Sequence, residues 1–219
     1  MFDIQLDLQS FILQRLIWEI YERHQKLKAL DFTFGTGALW QEVEDVEITK
    51  CDSQPLDENV HKKDIFNDDY DFGLHDFALF DPPYLIGRQG FDYSAKLQDG
   101  KLVPMQYQGK RSWGTKGVAK YTANPTVEHF NNRVVHINNK APNVLKPNGI
   151  LFVKVMNTRY KKHYVAHNHD IVNLMTNFEL VAEVPYIRAG ATTWKQKFQN
   201  LHGVWLVFRL KDKSQGSLL

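Results

Sequence analysis

At 219 residues, 43% of them hydrophobic, the chain is long enough for one sizeable domain, and its single cysteine, Cys51, excludes an internal disulfide framework. No apolar run approaches the ~20 residues that cross a bilayer, and Met1-Phe2-Asp3 carries no basic leader, so an intracellular protein without a membrane partner is expected. Net charge is only +2, yet residues 1–99 hold 20 acidic and 9 basic side chains against 5 and 18 in residues 100–219, which points to a polyanionic partner for the basic half.

Residues 4–26 place Leu8, Phe11, Ile12, Leu16, Ile17, Ile20 and Tyr21 at helical spacing, which predicts an amphipathic helix with Ser10 and Gln14 on its polar side. Ala29 to Asp31 then reads as a short strand that opens into a turn holding Gly35 and Gly37. A brief helical stretch over 38–43 follows. Glycines at such a turn let the backbone take positive φ and approach a ligand closely, although many strand-to-helix turns need one for geometry alone. Val46 to Asp52 alternates like a strand and ends in an acid, with Cys51 as inert packing. Another acid, Asp64, follows the next short apolar segment. Taken singly, either acid is a solvated turn residue.

The most informative stretch is Phe77-Ala78-Leu79-Phe80-Asp81-Pro82-Pro83-Tyr84. Four apolar residues suit a short strand buried on both faces, as in a parallel sheet. The residue before a proline is pushed out of the α region, and Pro82 and Pro83 lack the N–H that would extend a ladder. The strand must therefore end in a stiff extended arm, at the edge where open α/β sheets bind ligands. An amine on a nucleobase is a poor nucleophile because its lone pair is delocalised into the ring. Two acceptors on its N–H bonds, the Asp81 carboxylate and the Pro82 carbonyl, would draw that lone pair back onto nitrogen. Tyr84 would offer a π-face for the base. The plain alternative is a Pro-Pro strand terminator.

Asp81-Pro82-Pro83-Tyr84 resembles the Asp/Asn/Ser-Pro-Pro-Tyr/Phe/Trp signature of the amino-methyltransferases, which use S-adenosylmethionine to methylate adenine N6 or cytosine N4 in DNA. The resemblance implies an α/β, Rossmann-like class I methyltransferase fold: one domain, with a mostly parallel twisted sheet flanked by helices. It also implies S-adenosyl-L-methionine as cofactor and DNA as partner. Asp31-Phe32-Thr33, with Gly35 and Gly37, resembles the family's first motif, Asp-x-Phe/Gly-x-Gly-x-Gly, which wraps the methionine part of the cofactor. Two departures stand out: Thr33 replaces the usual Phe or Gly, and the following helix is short. Asp52 then matches the acid that accepts the ribose hydroxyls, and Asp64 the group near the adenine amine. The acidic first half suits a cofactor that is cationic at sulfur.

Residues 85–125 read as a flexible basic insertion, in which Lys110, Arg111, Lys116 and Lys120 interleave with Trp113 and Tyr121. That mixture suits phosphate contacts and base stacking, with disorder as the alternative. Thr126 is a candidate helix cap before an apolar face of Phe130, Val134, Val135 and Ile137. Leu145 to Gly149 reads as a turn and 150–156 as a buried strand. His163, His167 and His169 have a metal-like spacing, but no acid or cysteine completes a set and sulfonium methyl transfer needs no metal. A helix over 170–177 and strands over 178–184 and 203–209 complete a chain without repeats or a second domain. Target recognition falls to 85–125 and 188–202, and an aspartate at 81 favours adenine N6 over cytosine N4. It also disfavours protein glutamine methylation, whose enzymes carry Asn there. Two alternatives remain open: an RNA guanine-N2 methyltransferase, and an inactive nucleic-acid-binding module that keeps the fold.

Overall fold

The computed structural model describes residues 4–55, 57–82, 95–98, 101–104, 124, 126–160, 163–187 and 202–212. A helix α1 (Ile4–Ile20) leads into β1 (Leu27–Asp31), a single 3-10 turn (Ala38–Trp40), β2 (Val46–Asp52), β3 (His61–Lys62) and β4 (His75–Phe80). After the hairpin β5 (Ala95–Gln98) and β6 (Lys101–Pro104) come α2 (Val127–Lys140) and β7 (Leu145–Met156). The hairpin β8 (Thr158–Tyr160) and β9 (His163–Val165), α3 (His167–Leu174), β10 (Phe178–Ile187) and β11 (His202–Leu210) complete the order.

Seven strands form one sheet in the order β10-β11-β7-β4-β1-β2-β3. β11 alone runs antiparallel to its neighbours, and the other six share one direction. Side chains alternate between two cores, as the period of two requires. Ala78, Phe80, Leu151 and Val153 meet Phe130, Val134 and Ile137 of α2 and Ile171 of α3. Phe77, Leu79, Ile150 and Phe152 meet Leu13 and Ile17 of α1 on the other face. The expected double burial of the 77–80 run is thus met by one helical layer on each face. Cys51 is fully buried and desolvation pushes its thiol up to about 12, as inert packing requires.

Several boundaries depart from the sequence reading. α1 stops at Ile20, and its supposed polar side is buried: Ser10 is 0% and Gln14 3% exposed, while Phe11 is 55% exposed. The reason is local. Ser10 Oγ accepts from the Glu42 N–H at 2.6 Å and Gln14 Oε1 from the Glu44 N–H at 2.7 Å. With only one helical turn between β1 and β2, α1 has to satisfy the backbone that a longer helix would have satisfied itself. The predicted turn at 145–149 is an irregularity inside β7, where register slips between His75↔Leu145 and Phe77↔Ile150 and Asn148 takes φ 59°. α3 starts at His167, three residues before the expected 170. Within 85–125, expected to be the least regular part, β5 and β6 pair antiparallel with Gln98 opposite Lys101. The Thr126 cap forms as expected, its Oγ1 accepting from the His129 N–H.

Candidate active site

All candidate acids sit at one end of the sheet because β1, β2 and β4 run parallel and each ends in or just before an aspartate. At β1, Asp31 is 1% exposed, accepting at Oδ1 from the Thr33 N–H (2.7 Å) and at Oδ2 from the Trp40 indole N–H (2.6 Å). Burial pushes its carboxyl up to about 7; the Trp40 and Thr33 bonds oppose that shift, and the nearby Asp81 and Asp52 add to it. Phe32 is likewise in the core, 5.0 Å from the Tyr70 ring. Asp31 and Phe32 therefore shape the turn from inside, and what they present to a ligand is backbone.

The turn itself is built by glycine. Gly35 has φ 56° and Gly37 φ 73°, both in the left-handed region, and a Cβ on Gly37 would lie 2.7 Å from the Phe34 ring. Gly37 opens the 3-10 turn that carries Trp40 to Asp31. Asp52 holds the turn from the next strand: Oδ2 accepts from the Gly35 N–H at 2.9 Å and Oδ1 from the Gln54 N–H at 2.7 Å. A carboxylate has about four acceptor positions, so Asp52 keeps capacity for a hydroxyl. Asp64 lies just beyond β3, with Oδ1 on the Phe66 N–H (2.9 Å) and Oδ2 on the Asn67 amide (3.3 Å). Its loop docks on α2, where Arg133 lies 4.9 Å over the Phe66 ring.

Asp81 follows β4 directly and Pro82 behind it is buried. Two contacts fix Asp81. Its N–H donates to Thr33 Oγ1 at 2.8 Å, and Lys154 Nζ on β7 donates to its Oδ2 at 2.8 Å. Among the described residues, Asp81 Oδ1 is buried without a hydrogen-bond partner. The structure thus brings together Asp31, Phe32, Thr33, Gly35, Gly37, Asp52 and Asp81, and sets Asp64 at the end of the adjoining strand. Pro83, Tyr84, Lys110, Arg111, Trp113, Lys116, Lys120 and Tyr121 lie outside the described residues. Sequence reasoning missed Lys154, whose signal was a lone charge inside the apolar run 150–156, and Trp40, whose indole partners Asp31. Of the histidines, His167 is buried 4.4 Å from the Phe130 ring while His169 is exposed. No helix among the described residues is long and apolar enough to cross a membrane.

No protein-family model matches the sequence, and no curated protein does either. Among solved structures, the chain is similar to the N-methyltransferase NodS of Bradyrhizobium japonicum, with TM-score 0.52 and 11% identity over 94% of this chain and 98% of that one. A putative class I S-adenosylmethionine-dependent methyltransferase of Listeria monocytogenes gives TM-score 0.53 at 14% identity, covering 94% of this chain and 60% of that one. An S-adenosylmethionine-dependent methyltransferase of Leishmania major gives 0.52 at 11%, covering 94% and 73%. Likeness at such identities establishes the fold: Rossmann-like, of the methyltransferase type, in a single domain.

Proposed function

We propose that this chain transfers a methyl group from S-adenosylmethionine to an exocyclic amine of a nucleobase, with adenine N6 in DNA as its target. The observation that carries the reading is the 2.8 Å bond from the Asp81 N–H to Thr33 Oγ1, which ties the amine acceptor to the glycine turn. When bound, the cofactor supplies a methyl group on a cationic sulfur that departs with the S–C electron pair. The residues present fit such a group. Gly35 and Gly37 expose backbone at the turn, Asp52 keeps acceptor capacity for ribose hydroxyls, and the surrounding carboxyl groups suit a cation. That the fold is shared with S-adenosylmethionine-dependent methyltransferases agrees with this choice.

Asp81 accepts an N–H of the target amine and so concentrates electron density on nitrogen as the N–C bond forms; the S–C electron pair stays with sulfur, and the methylated nitrogen then releases its proton to solvent. Interactions that strengthen as charge grows on nitrogen raise the rate of the chemical step. Tyr84 stacks on a base taken out of its helix, at a cost of a few kcal/mol that stacking offsets. The two departures noted in the sequence, Thr33 and the short helix, both have a task here: Thr33 holds Asp81, and α1 supports the shortened segment. The test is incubation with labelled cofactor and separate DNA and RNA pools, followed by nucleoside analysis. Label in N6-methyladenine from DNA is the expected result. Label in guanine from RNA would move the target, and a protein that binds cofactor without labelling either pool would be an inactive module.

A further inference from the structure

Lys154 is out of place by every rule that shaped its strand. It stands in a run whose neighbours Phe152, Val153, Val155 and Met156 are all buried, and its side chain is only 12% exposed. Burying an ammonium costs several kcal/mol unless it is paired, and a well-packed apolar residue commonly serves stability as well as such a pair does. Register shows which partner a lysine meets here. Phe80 on β4 faces Val153 on β7, so residues 81 and 154 are the next neighbours across the parallel pair. Phe77, Leu79, Ile150 and Phe152 belong to the α1-side core, and two-residue alternation puts Asp81 and Lys154 at the outer end of that same row. On the far side, Lys154 is paired across the strands with Trp205, which is fully buried.

We infer that Lys154 is a positioning residue for methyl transfer: by holding Asp81 Oδ2 it fixes the carboxylate that accepts from the target amine. The inference rests on the amine-methyltransferase reading of this site. The two oxygens are already unequal, Oδ2 lying 2.8 Å from Lys154 Nζ and Oδ1 being buried without a partner among the described residues. The Asp81 main chain is pinned from the turn after β1 by Thr33. Side chain and backbone are thus restrained independently, which is what a near-attack geometry demands of its acceptor.

The test compares Lys154→Met, which keeps most of the stem and loses the charge, with Lys154→Arg and Lys154→Gln, which keep a donor. Cofactor binding by calorimetry shows that each variant is folded, and single-turnover methylation under saturating cofactor and nucleic acid gives the chemical step. Lys154→Met should slow that step about 100-fold, the scale expected of a small misplacement. Its affinity for cofactor and for nucleic acid should stay parental, and Arg and Gln should recover part of the loss. A merely structural lysine would move thermal stability and leave the saturated rate alone. Parental rates in Lys154→Met, or in Lys154→Leu should the methionine variant not fold, overturn the inference while the parent's activity keeps the reading of the site. A parent that methylates no amine overturns both.

Discussion

Thr33 shows how much one side chain carries at this sheet edge. Its N–H donates to Asp31 and its Oγ1 accepts from Asp81, so it joins β1 to the end of β4. Thr33→Val keeps the shape but removes the acceptor, at a cost of about 1 kcal/mol. Methylation should fall in step with it, whereas Thr33→Ser should restore both; denaturant melts beside single-turnover rates make the comparison. Asp31 lends itself to a pH test. Burial raises its carboxyl from 3.8 to about 7, so between those values the folded protein holds a proton that the unfolded chain has lost. Its contribution to stability is therefore fully present below pH 3.8 and disappears as pH rises through about 7. Asp31→Asn should lower stability, because Trp40 and Thr33 both need acceptors, while flattening the decline between pH 4 and 7 in urea titrations. An unchanged pH slope would remove Asp31 as its source. The sequence motif placed this aspartate at a strand end, where β1 does stop, yet could not tell that its side chain turns inward, since the indole that captures it comes from nine residues away.

Among the elements, the strands and most of the α2 face were legible and the α1 face was not, for a physical reason. A strand buried on both faces is apolar at every position, so 77–80 and 150–153 announce themselves whichever neighbours they acquire. A helix beside a degenerate connection must also satisfy foreign backbone, and then a polar residue faces inward. Ser10 and Gln14 are that case, displacing the exposed Phe11 from the buried stripe. Ser10→Ala and Gln14→Ala should each cost about 1–3 kcal/mol, the range for a backbone donor left without its partner. Phe11→Ser should be close to neutral. Chemical denaturation of the three variants distinguishes this from a simple amphipathic helix, in which Phe11→Ser would be the costly change. The β5–β6 hairpin carried a signal as well: the two residues between its strands read Asp-Gly, a common hairpin turn pair.

Over the whole molecule, the two halves of the sequence that differ in charge supply different sides of the sheet. Strands from the acidic first half, β3-β2-β1-β4, occupy one side, and β7-β11-β10 from the basic half occupy the other. The seam runs between β4 and β7, where Asp81 from one half meets Lys154 from the other. Under the proposed activity, the first half would draw the cationic cofactor and the second half the polyanionic substrate. Lys110, Arg111, Lys116 and Lys120 belong to a stretch, 100–127, that contains no acid. Each one that contacts a phosphate of duplex DNA releases counterions, so neutralising all four should lower the slope of log affinity against log salt by about 0.9 per lost contact. Cofactor affinity, set by the first half, should stay parental in the same variant. Titrations at several salt concentrations read both quantities, and a slope equal to that of the parent would assign the polyanion to some other surface of the basic half.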